Sequence, residues 1–208
     1  MLNRLTLLLL IACAAPAAVV IDRIAVIVGK HAVKLSDIGR DLRVTDFLNR
    51  QPLVEDAEAK RKAADRLVDQ QIIRDELATG GYNRATDADA ESMLRQIRQS
   101  RYGGSEVRLR QALSTYGLSE NELLARLLWQ MTVLRFIDER FAPGILVTDE
   151  QVRNYYDQHA ELRKAAFQTA APQIRKTLEG EQVNAQFDSW LSEARKREQI
   201  QYRDAAFQ

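Results

Sequence analysis

The chain has 208 residues, which is enough for one domain of ordinary size or two small ones. Its hydrophobic fraction of 46% and charged fraction of 28% are those of a globular protein and argue against a disordered chain. A formal net charge of +1 argues against a strong nucleic-acid binder, because such proteins use excess positive charge to displace counterions from phosphates.

The N-terminus has the layout of an export signal. Arg4 is followed by an apolar run over residues 5–15, which is too short to span a bilayer, and the small residues ending at Ala17 provide a cleavage site. This order predicts a signal peptide over residues 1–17. The same stretch also matches a lipobox ending at Cys13, so lipidation of that cysteine is an alternative that would tether the protein to a membrane.

The first element predicted after the signal peptide is a β-hairpin. Residues 21–28 are rich in β-branched side chains, residues 31–35 resume the apolar pattern, and Gly29-Lys30 between them is typical of a tight turn. Because a two-stranded hairpin is marginally stable alone, we expect a third strand to complete it. The candidate is the short strand predicted at residues 199–203, at the other end of the chain.

The rest of the chain is predicted to be helical. Ser36 and Asp37 are expected to cap a first helix that runs to about Asn49. Apolar spacing, capping residues and glycine stops predict further helices over residues 55–79, 86–101, 105–117, 119–142 and 148–159. Pro172 is placed in the first turn of a long last helix, where its missing amide is not needed. The predicted fold class is therefore mainly α, with a small hairpin joined by a C-terminal strand.

Several short segments, taken in this order, resemble the chaperone module of SurA-like periplasmic folding factors. The N-terminal half of that module is matched by residues 21–29 (IDRIAVIVG), 35–38 (LSDI), 67–73 (LVDQQII), 117–123 (GLSENEL) and 147–159 (VTDEQVRNYYDQH). Residues 171–178 (APQIRKTL), together with the final strand, resemble the C-terminal helix and strand of the same family. The resemblance implies that this C-terminal part folds back onto the N-terminal module, with residues 18–208 forming one domain.

One departure from the family bears on catalysis. Most members carry one or two parvulin-type prolyl isomerase domains between residues equivalent to 159 and 171, and here only residues 160–171 fill that gap as a predicted linker. A parvulin site would also need a pair of histidines in its own domain, whereas His31 and His159 lie in the chaperone segments. We therefore expect no isomerase activity, no catalytic residues and no cofactor.

Candidate client-binding residues are large apolar side chains that fall outside the strong helical stripes. Phe47 lies near the end of the first helix, Leu53 and Val54 follow Pro52, and Tyr102 lies at a glycine break. Each is a candidate for an exposed surface that holds client side chains, and packing against a neighbouring helix is the alternative for each. No spacing of potential ligands predicts a metal site.

The resemblance implies an ATP-independent periplasmic chaperone, a holdase for unfolded exported or outer-membrane proteins. Its partners would be unfolded polypeptides and not nucleic acid, and it would contact a membrane only if Cys13 is lipidated. Two alternatives stay open at this point. One is an enzyme related to prolyl isomerases, and the other is a structural adaptor in an envelope complex.

Overall fold

The computed structural model of the protein describes residues 22–204. The predicted signal peptide, its cleavage site and the alternative lipidation site at Cys13 lie outside these described residues. Within residues 22–204, no helix is both long enough and apolar enough to cross a membrane.

A small antiparallel sheet joins the two ends of the described chain. Strand β1 (Ile24–Val28) lies between β2 (His31–Lys34) and β3 (Ile200–Tyr202), in the order β2-β1-β3. The β1-β2 turn contains Gly29 with a φ of 55°, a conformation that glycine adopts without strain. The Gly29 amide also donates to the Gln199 carbonyl at 2.9 Å, just before β3 begins.

The third strand predicted from the sequence is confirmed. In β1 and β3, Val26 lies opposite Tyr202 and Val28 lies opposite Ile200. Helices make up 73% of the structure, so the fold class predicted from the sequence, mainly α with a small sheet, is confirmed as well.

Seven α-helices follow the hairpin within the described residues, and the last precedes β3. Two single 3₁₀ turns flank the sixth helix, at Ala142–Gly144 and Leu162–Lys164. The helices are α1 (Leu35–Asn49), α2 (Ala57–Thr79), α3 (Asp87–Tyr102), α4 (Glu106–Thr115), α5 (Glu120–Phe141), α6 (Asp149–Gln158) and α7 (Phe167–Arg197).

The start of α1 differs from the prediction. Its N-cap is Lys34, and the backbone amide of Lys34 donates to the Asp37 carboxylate at 3.1 Å. Ser36 does not cap the helix; its hydroxyl and its amide donate to the two oxygens of Asp22, at 2.5 and 3.2 Å. The predicted cap is therefore confirmed for Asp37 and wrong for Ser36, because the N-cap lies two residues earlier and the serine bonds to Asp22 instead.

The start of α7 is a second correction. The helix begins at Phe167, five residues before Pro172, so the proline lies inside it. Pro172 is exposed, and α7 continues through it because Ile174 packs on α6 in an apolar cluster with Val152. The predicted linker over residues 160–171 contains the 3₁₀ turn Leu162–Lys164, and its residues from Phe167 onward belong to α7.

The apolar side chains form four clusters that organise the helices. The sheet packs on α1 and α2, and α1 also packs with α3, α4 and α5 in a second cluster. A third cluster joins α2, α5 and the C-terminal half of α7 through aromatic rings, including Phe136 and Trp190 with centroids 5.4 Å apart. The fourth holds α6 against the N-terminal half of α7, around Val152 and Ile174.

Candidate peptide-binding groove

The four residues that the sequence suggested for client binding do not form one exposed surface. Phe47 is only 3% exposed, and its ring meets the edge of Tyr116 with centroids 5.6 Å apart. The expectation that Phe47 is open to clients is therefore wrong. Phe47 follows Val44 by three residues on the buried face of α1, and this face packs on α3, α4 and α5.

The other three residues divide between two environments. Tyr102 is half-buried at the end of α3 and packs on the same cluster as Phe47. Leu53 and Val54 are 40% and 46% exposed in the loop between α1 and α2, where the Val54 amide donates to the Asp46 carboxylate at 3.2 Å. These two loop residues remain accessible, but they belong to none of the four apolar clusters of the described chain.

A more extensive concavity lies between β2, α1, α2 and α5. This groove has a volume of about 530 Å³ and is lined by both apolar and polar side chains. The apolar wall consists of Ala32, Val33, Val44, Leu67, Ala125 and Trp129. The polar lining consists of Asp37, Arg40, Asp41, Gln70, Gln71, Arg74, Asn121, Glu122 and Arg126.

A buried carboxylate ties together the three helices that form the groove. The Asp41 side chain on α1 is 2% exposed and accepts from Arg66 on α2 at 2.6 Å and from Arg126 on α5 at 2.8 Å. Gln70 donates to it at 3.3 Å. A buried charge is tolerated only when it is paired and hydrogen-bonded, so these contacts explain how Asp41 occupies a core position.

The other two carboxylates of the groove share one arginine. Arg40 contacts Asp37 at 3.1 Å and Glu122 at 3.2 Å. Hydrogen bonds from the backbone and hydroxyl of Ser119, and then the Arg40 contact, lower the pKa of Glu122. All three acids that line the groove are therefore engaged by cations of the protein itself.

Arg74 is the exception among the groove's cations. Its guanidinium lies over the Trp129 ring, 4.4 Å from the centroid, in a cation–π contact between α2 and α5. Its hydrogen bond is a long one, from Nη2 to Gln70 at 3.4 Å, and within residues 22–204 no carboxylate forms an ion pair with it. Desolvation, and then repulsion by Arg126, lower the pKa of Arg74, while the nearby carboxylates of Asp37 and Asp75 raise it, and the arginine remains charged at neutral pH.

Strand β2 places a sheet edge beside the groove. β2 pairs with β1 on one side only, and no other strand of the described chain pairs with its outer side. Ala32 is exposed, and both Ala32 and Val33 line the groove. An unpaired strand edge offers backbone donors and acceptors to an incoming extended segment.

The two histidines make local contacts. The Nε2 atom of His31, on β2, lies 3.4 Å from the Asp75 carboxylate. The His159 ring stacks on Tyr155 at 3.9 Å and makes a hydrogen bond to its carbonyl at 2.7 Å. Within residues 22–204, no group of three or more His, Cys, Asp or Glu side chains is arranged to hold a metal ion.

The positions of Asp41 and Arg126 within the apolar faces of α1 and α5 could have indicated a buried ion pair from the sequence. Asp41 follows Ile38 by three residues and directly precedes Leu42, which places it on the buried face of α1. Arg126 follows Leu123 by three residues and directly precedes Leu127, on the equivalent face of α5. Opposite charges at two such stripe positions predict a buried pair, but their contact depends on how the helices cross.

Comparison with known proteins adds no relative, because no protein-family model and no curated protein matches the chain.

Proposed function

We propose that the protein is an ATP-independent holdase that binds extended segments of unfolded exported or outer-membrane proteins in the periplasm. The observation that supports this function best is the groove between β2, α1, α2 and α5, which is lined by both apolar side chains and amide, guanidinium and carboxylate groups. The periplasmic location rests on the export signal and on the resemblance to SurA-like chaperones.

The lining of the groove suits a polypeptide of any sequence. The half-buried Leu67 and Trp129 and the exposed Ala32 and Ala125 offer apolar contact to client side chains. The amide of Asn121 has no hydrogen-bond partner within residues 22–204, and Gln71 uses only its NH₂ group, which donates to Asp75 at 2.9 Å. Such side-chain amides can donate to or accept from any peptide backbone, so they add affinity without selecting a sequence.

The edge of β2 gives the client a second set of backbone partners. An extended segment that pairs with an exposed strand gains main-chain hydrogen bonds that depend little on its sequence. β2 has only four residues and ends in Lys34. A short strand that carries charge resists uncontrolled pairing with other copies of the chain, so binding through this edge would be weak and reversible.

A holdase of this kind needs no catalytic step. Client release follows from weak affinity, because ordering a disordered segment consumes part of the interaction free energy. The proposal therefore assigns no isomerase chemistry to the chain, and residues 159–166 form the junction between α6 and α7.

An envelope adaptor is the second candidate, and two exposed leucines favour it. Leu146, between α5 and α6, is 80% exposed, and Leu134 on α5 is 64% exposed. Isolated apolar residues are common on protein surfaces, so they support docking less strongly than the groove supports peptide binding.

The test is to block the groove and measure the protection of an unfolded client. Ala125 is exposed on α5 and lines the groove, so Ala125→Trp should fill the space without disturbing the core. Ala185→Trp adds the same side chain at an exposed position on α7 and serves as the control. The readout is light scattering by an outer-membrane protein diluted from urea.

The holdase proposal predicts that the wild type and Ala185→Trp suppress aggregation and that Ala125→Trp does so much less. Equal protection by both variants would place client binding outside the groove. If the wild-type protein gives no protection and binds no unfolded client, the holdase proposal fails and the adaptor becomes the better candidate. Replacing Leu134 and Leu146 with Ser would then be the first test of docking.

A further inference from the structure

We propose that the groove recognises a carboxylate on the segment it binds, and that Arg74 is the residue that anchors it. This inference rests on the proposed peptide-binding function of the same groove. It adds a chemical preference: an extended segment that presents a carboxylate beside Trp129 should bind more tightly than a neutral segment of equal length.

The distribution of charge within the groove supports this assignment. Asp37 and Glu122 are both bound by Arg40, at 3.1 and 3.2 Å, and Asp41 is bound by Arg66 and Arg126. The protein's own acids in the groove are therefore used by cations other than Arg74. Arg74 forms no ion pair with any of them, although Asp37 and Asp75 lie near enough to raise its pKa, so its guanidinium can still pair with the carboxylate of a ligand.

The position of Arg74 also suits a ligand. Its guanidinium lies over the Trp129 ring, and a guanidinium held in this way keeps N–H donors in its own plane. One donor makes the long hydrogen bond to Gln70, and the rest have no partner within residues 22–204. Two parallel N–H donors match the two oxygens of a carboxylate, which makes a bidentate pair the expected contact.

Arg126 strengthens the attraction of the site for an anion. It lies near enough for its charge to lower the pKa of Arg74, after the effect of desolvation, and the two guanidinium groups therefore repel each other. A bound carboxylate would relieve this repulsion. Arg74 is exposed to solvent, so an incoming carboxylate can reach it, and the strength of the contact would come from two hydrogen bonds to a charged group.

A peptide fits the groove better than a small free anion. Phosphate or sulfate would use the cation but would leave the apolar wall and the β2 edge without contacts. A carboxylate on an extended chain can use all three features at once. It can come from the C-terminus of a client or from an Asp or Glu side chain, and the two sources present the same oxygens to Arg74.

The experiment compares four fluorescent peptides of about eight residues with alternating Val and Thr, a length typical of a β-strand. The first has a free C-terminus, the second is amidated, the third is amidated with a central Asp, and the fourth is amidated with a central Asn. Fluorescence anisotropy at low ionic strength gives the dissociation constant of each peptide for the intact protein. Inorganic phosphate is added as a competitor in a separate series.

The protein variants test the anchor directly. Arg74→Gln removes the charge and keeps a side chain that can lie along Trp129. Arg163→Gln removes the same charge from an exposed position after α6 and serves as the control. Circular dichroism and a thermal melt of each variant establish that it is folded before the binding is measured.

We expect at least one carboxylate peptide to bind the wild type about tenfold more tightly than its neutral counterpart, as a charge-assisted hydrogen bond predicts. Arg74→Gln should abolish this difference and Arg163→Gln should keep it. Preference for the free C-terminus alone, or for Asp alone, identifies the source of the carboxylate, and either result supports the proposal.

Three results would overturn the inference. If the wild-type protein binds the charged and neutral peptides with equal affinity, the inference is wrong, and this result does not require Arg74→Gln to fold. A preference that survives in Arg74→Gln assigns the anchor to another residue. If millimolar phosphate displaces a fluorescent peptide as effectively as a peptide with a carboxylate does, the site binds a free anion. In each case, continued binding of neutral peptides leaves the proposed holdase function intact, whereas binding of no peptide overturns both.

Discussion

The hydroxyl of Tyr202 in the last strand donates to the Asp65 carboxylate of α2 at 2.5 Å. Arg195 on α7 also contacts Asp65, at 3.1 Å, and contacts Asp69 at 2.6 Å. Burial, and then the hydrogen bond to Asp65, raise the pKa of Tyr202, so the phenol remains a neutral donor at neutral pH. This cluster joins the C-terminal helix and strand to the centre of the fold.

Tyr202→Phe should therefore weaken the attachment of β3. The change removes a hydrogen bond to a charged group and should lower the free energy of unfolding by about 1–2 kcal/mol. Amide hydrogen exchange should become faster in β3 and at the β1 amides that pair with it. Urea unfolding measures the stability, and Tyr155→Phe, whose hydroxyl has no hydrogen bond to the described residues, is the control. Equal effects of the two changes would show that the Asp65 contact contributes little.

Asp41→Asn tests the buried charge below the groove. It keeps the shape of the side chain but leaves the guanidinium groups of Arg66 and Arg126 without their shared carboxylate. Breaking a buried ion pair costs about 3–5 kcal/mol, so we expect a loss of this order in the free energy of unfolding.

Denaturant unfolding of Asp41→Asn measures this loss, with Asp138→Asn as the control at an exposed position of α5. A change under about 0.5 kcal/mol in Asp41→Asn, the usual result for a surface substitution, would mean that the network adds no stability.

The capping box of α5 predicts a dependence on acid pH. Hydrogen bonds from Ser119, and then Arg40, hold the pKa of Glu122 below its ordinary value of 4.5. A carboxyl whose pKa is lower in the folded state stabilises the fold above the unfolded pKa. That stability is lost as the pH falls from about 4.5 through the folded pKa.

Glu122→Gln should therefore flatten the loss of stability between about pH 5 and pH 3, because the variant has no proton to take up at this position. Melting temperatures across this range measure the effect. Glu120→Gln, in the same first turn, is the control and should leave the slope unchanged, because the capping box consists of Ser119 and Glu122 and does not include Glu120. A slope in Glu122→Gln that equals the wild-type slope would contradict the assignment.

Phe47 is buried whereas Leu53 and Val54 are exposed, so replacing them with Ser should change the free energy of unfolding by very different amounts. Phe47→Ser removes a buried ring and should lower the free energy of unfolding by at least about 3 kcal/mol. Leu53→Ser with Val54→Ser should change stability by under about 0.5 kcal/mol, as exposed substitutions usually do.

Thermal melts measure both changes, and light scattering by a client measures protection. A folded loop variant that protects a client less well than the wild type would add this loop to the client-binding surface. Unchanged protection would restrict client binding to other surfaces. Unfolding of the loop variant would show that these residues contribute to the core despite their exposure.

Most local features were predicted from the sequence. The helices predicted to start at residues 119 and 148 have their N-caps there, where Ser119 accepts from the Glu122 amide at 3.2 Å and Thr148 accepts from the Gln151 amide at 3.2 Å. Each involves residues only three positions apart, so the local sequence is sufficient to specify it. The same holds for the turn at Gly29, where glycine adopts a positive φ without strain.

The tertiary structure decided the features that depend on distant residues. Phe47 is buried because α3, α4 and α5 pack over it. Helix α7 continues through Pro172 because Ile174 packs against α6. The groove also depends on distant residues, because its charged side chains come from α1, α2 and α5. No local sequence pattern shows that Arg126 contacts Asp41 or that Arg74 lies over Trp129. The existence of the helices, the caps at Ser119 and Thr148 and the need for a third strand follow from the sequence, because hydrophobic period and turn chemistry are local, whereas the cap of α1 and the start of α7 depend on distant residues. Packing decided which polar side chains share a cavity, because that depends on how the helices cross.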